Sequence, residues 1–92
     1  MEKLSEAQIA ENLNGVSGWE LKGEEITRAY KFKDFAEALA FVNKVAGLAE
    51  QADHHPDIDI RYNKVRLTLS THSAGGLTEK DFTLAKQIDL EY

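Results

Sequence analysis

The sequence predicts an α+β domain of two layers, in which a four-stranded antiparallel sheet carries three helices on one face. Three observations predict this fold. Three segments open with helix-start signals, four segments alternate apolar and polar residues, and the alternating segments come in adjacent pairs. Consecutive strands with short connections pair antiparallel, and each has one apolar face that needs cover. The predicted order is α-β-β-α-β-β-α, which leaves the other face of the sheet for solvent, a partner subunit or a ligand.

The three helices are predicted from capping patterns, in which Ser, Thr or Asp is followed three residues later by Gln, Glu or Asp. The pairs are Ser5–Gln8, Asp34–Glu37 and Thr78–Asp81. The second helix is the longest, and apolar residues recur along it at spacings of three and four, which predicts one stripe facing the core. That predicted stripe consists of Phe35, Leu39, Val42, Ala46 and Ala49. The third helix is predicted to turn Leu84, Ala85 and Ile88 inward.

The strands are predicted from alternation with a period of two residues. Residues 16–21 form a weak first strand, and the later strands alternate more clearly. The predicted apolar faces are Ile26, Tyr30 and Phe32, then Ile58, Ile60 and Tyr62, and then Val65, Leu67 and Leu69. Arg28 is an exception on the first of these faces. Only Asn63-Lys64 separates the last two strands, so we expect a tight hairpin in which Asn63 adopts the left-handed conformation.

Length and composition exclude several classes of protein. A chain of 92 residues is enough for one domain, which we expect to span residues 1–92, and a domain this small favours self-association. The net charge of −5 argues against a nucleic-acid partner, and the absence of cysteine excludes disulfides and thiolate chemistry. No run approaches the roughly 20 apolar residues of a membrane span. The first ten residues do not resemble a signal peptide, so we expect a cytoplasmic protein without a membrane partner.

Three histidines form the candidate site. His54 and His55 are adjacent and precede Pro56, which disfavours the helical conformation at His55, so the second helix should end at this pair. His72 lies just past the fourth strand, on the outer face of the sheet if the alternation continues. Because a hairpin returns the chain beside its start, we expect the three rings to converge at one edge of the sheet. Histidine, with an ordinary pKa of about 6.5, suits proton transfer near neutral pH.

Other interpretations of these residues stay open from spacing alone. The histidines can be solvated or structural, or they can form a three-histidine zinc site. Asp81, at the third position of a helix, is explained by capping and the helix dipole without any catalysis. Glu50 and Asp53 lie about one turn before the histidines, where they either orient an imidazole or form the solvated end of the helix.

A set of residues in the second half of the chain stands at characteristic separations. It comprises Glu50, His54-His55-Pro56, Tyr62-Asn63-Lys64-Val65, Thr71-His72, Gly76-Leu77-Thr78 and Asp81. No single element is specific, but the whole set resembles the signature of the pterin-4a-carbinolamine dehydratases. The similarity extends to Gly18-Trp19 and to residues 32–35. Many members of that family have an acidic residue and then tryptophan after His-His-Pro, where this chain has Asp57 and Ile58.

The resemblance implies a hydro-lyase that converts a 4a-hydroxytetrahydropterin to the quinonoid dihydropterin, in the recycling of tetrahydrobiopterin. It implies His54, His55, His72 and Asp81 as catalytic residues, with His54 and His72 making the proton transfers and His55 positioning the ligand. The residues that it implies for substrate binding are Glu50, His54, His55, Pro56, Thr71, His72, Ser73 and Ala74.

The resemblance also implies that the pterin is a substrate, that neither a metal nor a separate cofactor is needed, and that the protein is a homodimer or homotetramer. Two alternatives remain beside this activity. One is a coactivator-like module that binds a protein and has no activity, and the other is a pterin-binding protein of molybdopterin metabolism.

Overall fold

A computed structural model describes residues 2–92 and confirms the α+β fold, with three helices and one open four-stranded antiparallel sheet. The elements follow the predicted order. They are α1 (Glu6–Leu13), β1 (Glu20–Lys22), β2 (Glu25–Lys31), α2 (Phe35–Ala52), β3 (Asp57–Arg61), β4 (Lys64–Leu69), a 3-10 turn (His72–Ala74) and α3 (Glu79–Glu91). Within residues 2–92, none of the helices combines the length and the apolar character needed to cross a membrane.

The sheet order is β1-β2-β4-β3, so the two hairpins meet through their β2 and β4 strands. β3 is therefore an edge strand, and its first residue, Asp57, pairs with Thr68 near the end of β4. This register places the segment that enters β3 beside the segment that leaves β4. The histidines that precede β3 and the histidine that follows β4 are consequently brought to the same end of the sheet.

The helix-start signals form the predicted caps, with one difference. The Ser5–Gln8 and Thr78–Asp81 pairs are reciprocal capping boxes, as the sequence predicted. At the start of α2 the Asp34 side chain accepts from the backbone N–H of Glu37 at 2.9 Å, but the Glu37 carboxylate accepts from the backbone of Lys33 instead of Asp34. The second capping box is therefore only half formed, and α2 still begins where it was predicted to begin.

The core lies between the inner face of the sheet and the helices α2 and α3. The sheet contributes Ile26, Tyr30, Val65, Leu67 and Leu69, and the helices contribute mainly Ala38, Phe41, Val45, Phe82, Leu84, Ala85 and Ile88. This confirms the predicted inner faces of β2 and β4 and the predicted inward face of α3.

The predicted core-facing stripe of α2 is wrong for most of its members. The buried residues of α2 are Ala38, Phe41, Val45 and Ala49. From the predicted stripe, Ala49 is buried, whereas Phe35 and Leu39 are 48% and 40% exposed. Apolar residues cover more than one face of this helix, and helical periodicity alone does not say which apolar face meets the sheet. The face that includes the large ring of Phe41 packs inward, and Phe35 and Leu39 are left at the surface.

Two predicted turns also differ from the structure. The sequence predicts a first strand over residues 16–21, but the strand is only three residues long and begins after the buried Trp19. In the second hairpin the loop residues are Tyr62 and Asn63, and Tyr62, not Asn63, has the left-handed backbone, with φ of 55°. The side-chain amide of Asn63 instead donates to the carbonyl of Phe32 at 2.9 Å. Asn63 therefore joins the hairpin to the end of β2.

Arg28, the polar exception on β2, belongs to a hydrogen-bonded cluster around Asp89. One carboxylate oxygen of Asp89, Oδ1, accepts from Trp19 Nε1 at 3.0 Å, from Arg28 Nη1 at 2.8 Å and from the hydroxyl of Tyr30 at 2.8 Å. We call these four residues the Asp89 cluster. It links the turn before β1, strand β2 and the last turn of α3.

Replacing Tyr30 by Phe should remove part of the loss of stability at alkaline pH. Burial, and then the hydrogen bond to Asp89, raise the pKa of Tyr30 far above its ordinary value of about 10. Above about pH 10 an unfolded tyrosine releases its proton while native Tyr30 keeps it, so the free energy of unfolding falls by about 1.4 kcal/mol per pH unit from this group. The stability that Tyr30 contributes is thus complete below about pH 10 and decreases above it.

The measurement is urea unfolding of the wild type and Tyr30→Phe at several pH values from about 8 to about 11. Ionisation of the lysines and of the other tyrosines is common to both proteins and cancels in the difference. The advantage of the wild type should shrink as the pH rises past 10. A difference that stays constant over the whole range contradicts the prediction.

Candidate active site

The end of α2 presents the adjacent histidines. The helix ends at Ala52, and the next residue, Asp53, has a left-handed backbone with φ of 51°. Aspartate tolerates the left-handed conformation better than most residues, and a residue in this conformation commonly ends a helix. The backbone N–H of His54 then bonds to the carbonyl of Ala49 at 3.1 Å. The chain reverses within one residue, and His54 and His55 are displayed from the reversal before β3 begins.

A short turn presents the third histidine. Strand β4 ends at Leu69, and Thr71 and Gly76 form an isolated antiparallel bridge in which each donates its N–H to the other's carbonyl. His72 begins the 3-10 turn that this bridge closes, and Gly75 completes it with φ of 77°. The alternation of β4 ends at Leu69 and does not extend to His72. The turn, not the pleat of β4, therefore sets the position of its side chain.

These two segments enclose one cleft, with a volume of about 280 Å³. Its lining residues are Asp53, His54, His55, Ser70, Thr71, His72 and Ser73. All three histidines thus border the same space, together with Thr71 and Ser73 from the predicted set. Small-molecule sites commonly have volumes of about 300–1,000 Å³, and this cleft stands near the lower limit, as suits a small planar ligand.

Asp81 is completely buried beneath this cleft and is both a helix cap and the partner of His54. Its Oδ2 accepts from the backbone N–H of Thr78 at 2.9 Å and from the hydroxyl of Thr71 at 2.8 Å. Its Oδ1 lies 2.5 Å from His54 Nε2. The two explanations of Asp81 are therefore not exclusive, because each uses a different oxygen of the carboxylate.

This arrangement fixes the tautomer of a neutral His54. A carboxylate accepts hydrogen bonds and does not donate them, so Nε2 of His54 carries the proton that Asp81 receives. Nδ1 of His54 has no hydrogen-bond partner in residues 2–92. No buried side-chain nitrogen or oxygen of the described chain lacks a partner, so Nδ1 is accessible to solvent. His54 thus has one nitrogen held by a buried carboxylate and one nitrogen available as a proton acceptor.

The other predicted site residues are more exposed. His55 Nε2 lies 2.5 Å from Glu50 Oε2, and both side chains face solvent. His72 is exposed and makes no side-chain hydrogen bond with the described part of the chain. Pro56 and Ala74 do not line the cleft, but each directly continues a segment that does.

The sequence predictions did not include every residue that borders or supports the cleft. Ser70 lines it without any signal in the sequence, since a lone serine after a strand is typical of loops in general. For Asp53 the sequence predicts either a partner for an imidazole or the solvated end of the helix, and the structure shows it as the left-handed residue that ends α2. Thr78 was recognised as a cap, but its hydroxyl also lies 2.9 Å from that of Thr71. This contact joins residues of two separate segments, and no local sequence pattern predicts it.

The described residues contain no group of three or more His, Cys, Asp or Glu side chains arranged to hold a metal ion. A larger cleft of about 370 Å³ lies between α1 and the β1–β2 turn. Its lining is mainly apolar, and it contains none of the histidines. All three histidines of the chain therefore lie at the smaller cleft.

A compact α+β domain with histidines around a small open cleft and a buried carboxylate behind one of them is typical of enzymes that work by proton transfer. Residues 2–90 match the family model described as Pterin 4 alpha carbinolamine dehydratase. The chain belongs to this family, whose members are hydro-lyases, and the resemblance found in the sequence is confirmed.

Known relatives agree over nearly the whole chain. A protein of Chloroflexus aurantiacus, provisionally named a pterin-4-alpha-carbinolamine dehydratase, is 61% identical over 97% of this chain and 96% of its own length. A protein of Thermomicrobium roseum with the same provisional name is 56% identical over 96% of this chain and 95% of its own length. These names support the activity of a pterin carbinolamine dehydratase.

Solved structures share the fold. The crystal structure of a transcriptional coactivator/pterin dehydratase from Brucella melitensis is 41% identical, covers 98% of both chains and has a TM-score of 0.94. A pterin dehydratase-like protein described as a RuBisCO assembly factor in the alpha-carboxysome is 24% identical over 79% of this chain and 84% of its own, with a TM-score of 0.65. The second similarity concerns the fold alone.

Proposed function

We propose that this protein removes water from a 4a-hydroxytetrahydropterin by histidine acid–base catalysis and forms the quinonoid dihydropterin. The observation that carries the proposal is the pairing of His54 with the buried Asp81 at a cleft that His55 and His72 also border. A histidine oriented by a carboxylate and open on its other nitrogen is an arrangement that supports general base catalysis.

The reaction needs one acid and one base. The hydroxyl on carbon 4a leaves as water after it receives a proton, and the proton on nitrogen 5 is lost as the C=N bond forms. His54, with Nδ1 free to accept, removes the N5 proton, and His72 donates to the departing hydroxyl. The proton balance is closed when His54 returns its proton to solvent and His72 regains one. No electron is gained or lost, so the dehydration itself needs no redox cofactor.

The remaining residues of the set serve binding in this proposal. His55, held by Glu50, contacts the heterocycle, while the backbones of 54–56 and 71–74 hold its ring. The substrate arises from aromatic amino acid hydroxylation in the recycling of tetrahydrobiopterin, and the enzyme works in the cytoplasm. The exposed apolar residues Phe35 and Leu39 support a homodimer or homotetramer, because a partner subunit would remove them from water.

The test is dehydration of chemically generated 4a-hydroxytetrahydropterin by the purified protein. The reaction is monitored by the absorbance of the quinonoid product. His54→Ala and His72→Ala should each lower kcat by about 10²–10⁴-fold, the usual contribution of a general acid or base. The control is Gln87→Ala, an exposed change on the outer side of α3, which should keep kcat. Wild-type activity no higher than that of the histidine variants would overturn the proposal.

A second candidate is a protein-binding module without activity, since the Brucella melitensis relative is described as a coactivator as well as a dehydratase. The same assay separates the two, because the module predicts an inactive wild type. Comparing the products formed from several pterins distinguishes recycling of tetrahydrobiopterin from a role in molybdopterin metabolism.

A further inference from the structure

The hydroxyl of Thr71 connects the two segments that carry the histidines. It donates to Asp81 Oδ2 at 2.8 Å, and the other oxygen of that carboxylate holds His54. Thr71 also directly precedes His72 in the chain, and its backbone is fixed by the bridge to Gly76. One hydroxyl thus ties the carboxylate behind one histidine to the turn that displays another.

The donor and the acceptor of each hydroxyl hydrogen bond around Thr71 can be assigned. The backbone N–H of Lys80 donates to Thr78 Oγ1 at 3.3 Å, so the Thr78 hydroxyl is free to donate to Thr71 Oγ1, 2.9 Å away. The Thr71 hydroxyl then donates its single hydrogen to Asp81, which as a carboxylate only accepts. Each donor is used once, and the bonds converge on the Asp81 carboxylate, to which His54 Nε2 donates from the other side.

Burial makes this chain of bonds costly to break. Thr78 and Asp81 are completely buried and Thr71 is 7% exposed, so water does not easily replace a missing partner. Without the Thr71 hydroxyl, Asp81 Oδ2 would keep only the backbone donor of Thr78, and the hydroxyl of Thr78 would lose its acceptor. The carboxylate would then be held less firmly on that side, which would loosen its hold on the His54 ring.

We propose that the hydroxyl of Thr71 is a positioning group for the dehydration: it fixes the Asp81 carboxylate, and through it the Nε2-protonated form of His54. This inference rests on the proposed function for its catalytic consequence and on the hydrogen-bond geometry for the effect on His54.

The experiment compares Thr71→Val, which keeps the shape of the side chain, with Thr71→Ser, which keeps the hydroxyl. Losing one hydrogen bond to a charged group corresponds to a decrease in kcat of about 10–100-fold for Thr71→Val, with KM changed by less than about twofold. Thr71→Ser should restore kcat to within about threefold of the wild type. A Thr71→Val protein with wild-type kcat, or a Thr71→Ser protein as slow as Thr71→Val, would overturn the proposal.

Thr27→Val is the matched control. Thr27 is also a buried threonine, 4% exposed, and its hydroxyl donates to the carbonyl of Leu67 at 3.0 Å, away from Asp81. Both valine variants should lower the melting temperature, but only Thr71→Val should lower kcat. Equal losses of kcat in the two variants would show a general effect of destabilisation and would overturn the positioning role.

A readout that does not need activity separates this inference from the proposed function. Nitrogen-15 NMR of the His54 ring should show a protonated Nε2 in the wild type and in Thr71→Ser, and a changed or exchange-broadened signal in Thr71→Val. An inactive wild type that still shows this difference overturns the proposed function and supports the effect on His54. Ring signals of His54 that are identical in Thr71→Val and wild type overturn the positioning inference itself.

Discussion

Replacing Asp81 by Asn is expected to lower kcat by about 10²–10⁴-fold while the protein stays folded. The two donors at Oδ2, the Thr78 N–H and the Thr71 hydroxyl, require an acceptor, so the amide oxygen of asparagine should occupy that side. The amide NH₂ then faces His54 Nε2. That nitrogen must accept instead of donate, and the ring proton moves to Nδ1, where the reaction needs a lone pair.

The measurement is kcat for dehydration together with a thermal unfolding curve for each variant. Glu79→Gln is the control, because it makes the same change of charge in the same first turn of α3 at an exposed position. Its kcat should stay within about twofold of the wild type, as surface substitutions away from a site usually do little. A folded Asp81→Asn protein with full activity would exclude the role that we assign to His54.

The second large effect concerns stability. Replacing Asp89 by Ala is expected to lower the free energy of unfolding by about 3–5 kcal/mol, because it removes one partner of a part-buried ion pair and the acceptor of two buried donors. It leaves Trp19, Arg28 and Tyr30 without their shared acceptor, in a region where the Arg28 and Asp89 side chains are only 20% and 21% exposed. Since small domains are stable by about 5–15 kcal/mol, this single change removes a large part of the total.

Urea unfolding of Asp89→Ala and of Glu91→Ala tests this prediction. Glu91 also lies in the last turn of α3 and pairs with Lys44, but that contact is 3.9 Å long and exposed, so its loss should cost less than about 1 kcal/mol. Asp89→Asn should fall between the two, because the amide oxygen still accepts from some of the donors. Similar losses for Asp89→Ala and Glu91→Ala would mean that the Asp89 cluster does not stabilise the fold as its geometry implies.

Local signals in the sequence predicted the elements, and long-range contacts decided what the sequence left open. Ser5 and Thr78 cap helices through residues three positions away, so their patterns are readable. Which apolar face of α2 meets the sheet depends on how Phe41 packs against strands far along the chain, and the predicted stripe with Phe35 and Leu39 was wrong for that reason. The contacts of Asp89 join residues 59 to 70 positions apart, and no spacing rule points to them.

The candidate site was partly readable for a similar reason. The hairpin brings the histidines to one edge of the sheet, and a sequence predicts a hairpin well. The partner of His54 was not readable from spacing, because capping explains Asp81 completely. Only the resemblance to a family suggested it for the site, and only the structure shows that one oxygen caps α3 while the other holds a ring. The sequence also did not predict that Tyr62 and not Asn63 is left-handed, since either residue of a two-residue loop can adopt that conformation.

Helix α3 carries Asp81 in its first turn and Asp89 in its last, about 12 Å apart along the axis. At that separation the free-energy effects of substitutions are usually additive, so damage at one end need not spread to the other. Under the proposed function, a descendant of this sequence that replaced Asp81 by Asn and retained Asp89 would lose the dehydration and keep its fold. Such a protein would be a stable scaffold, free to acquire a different task.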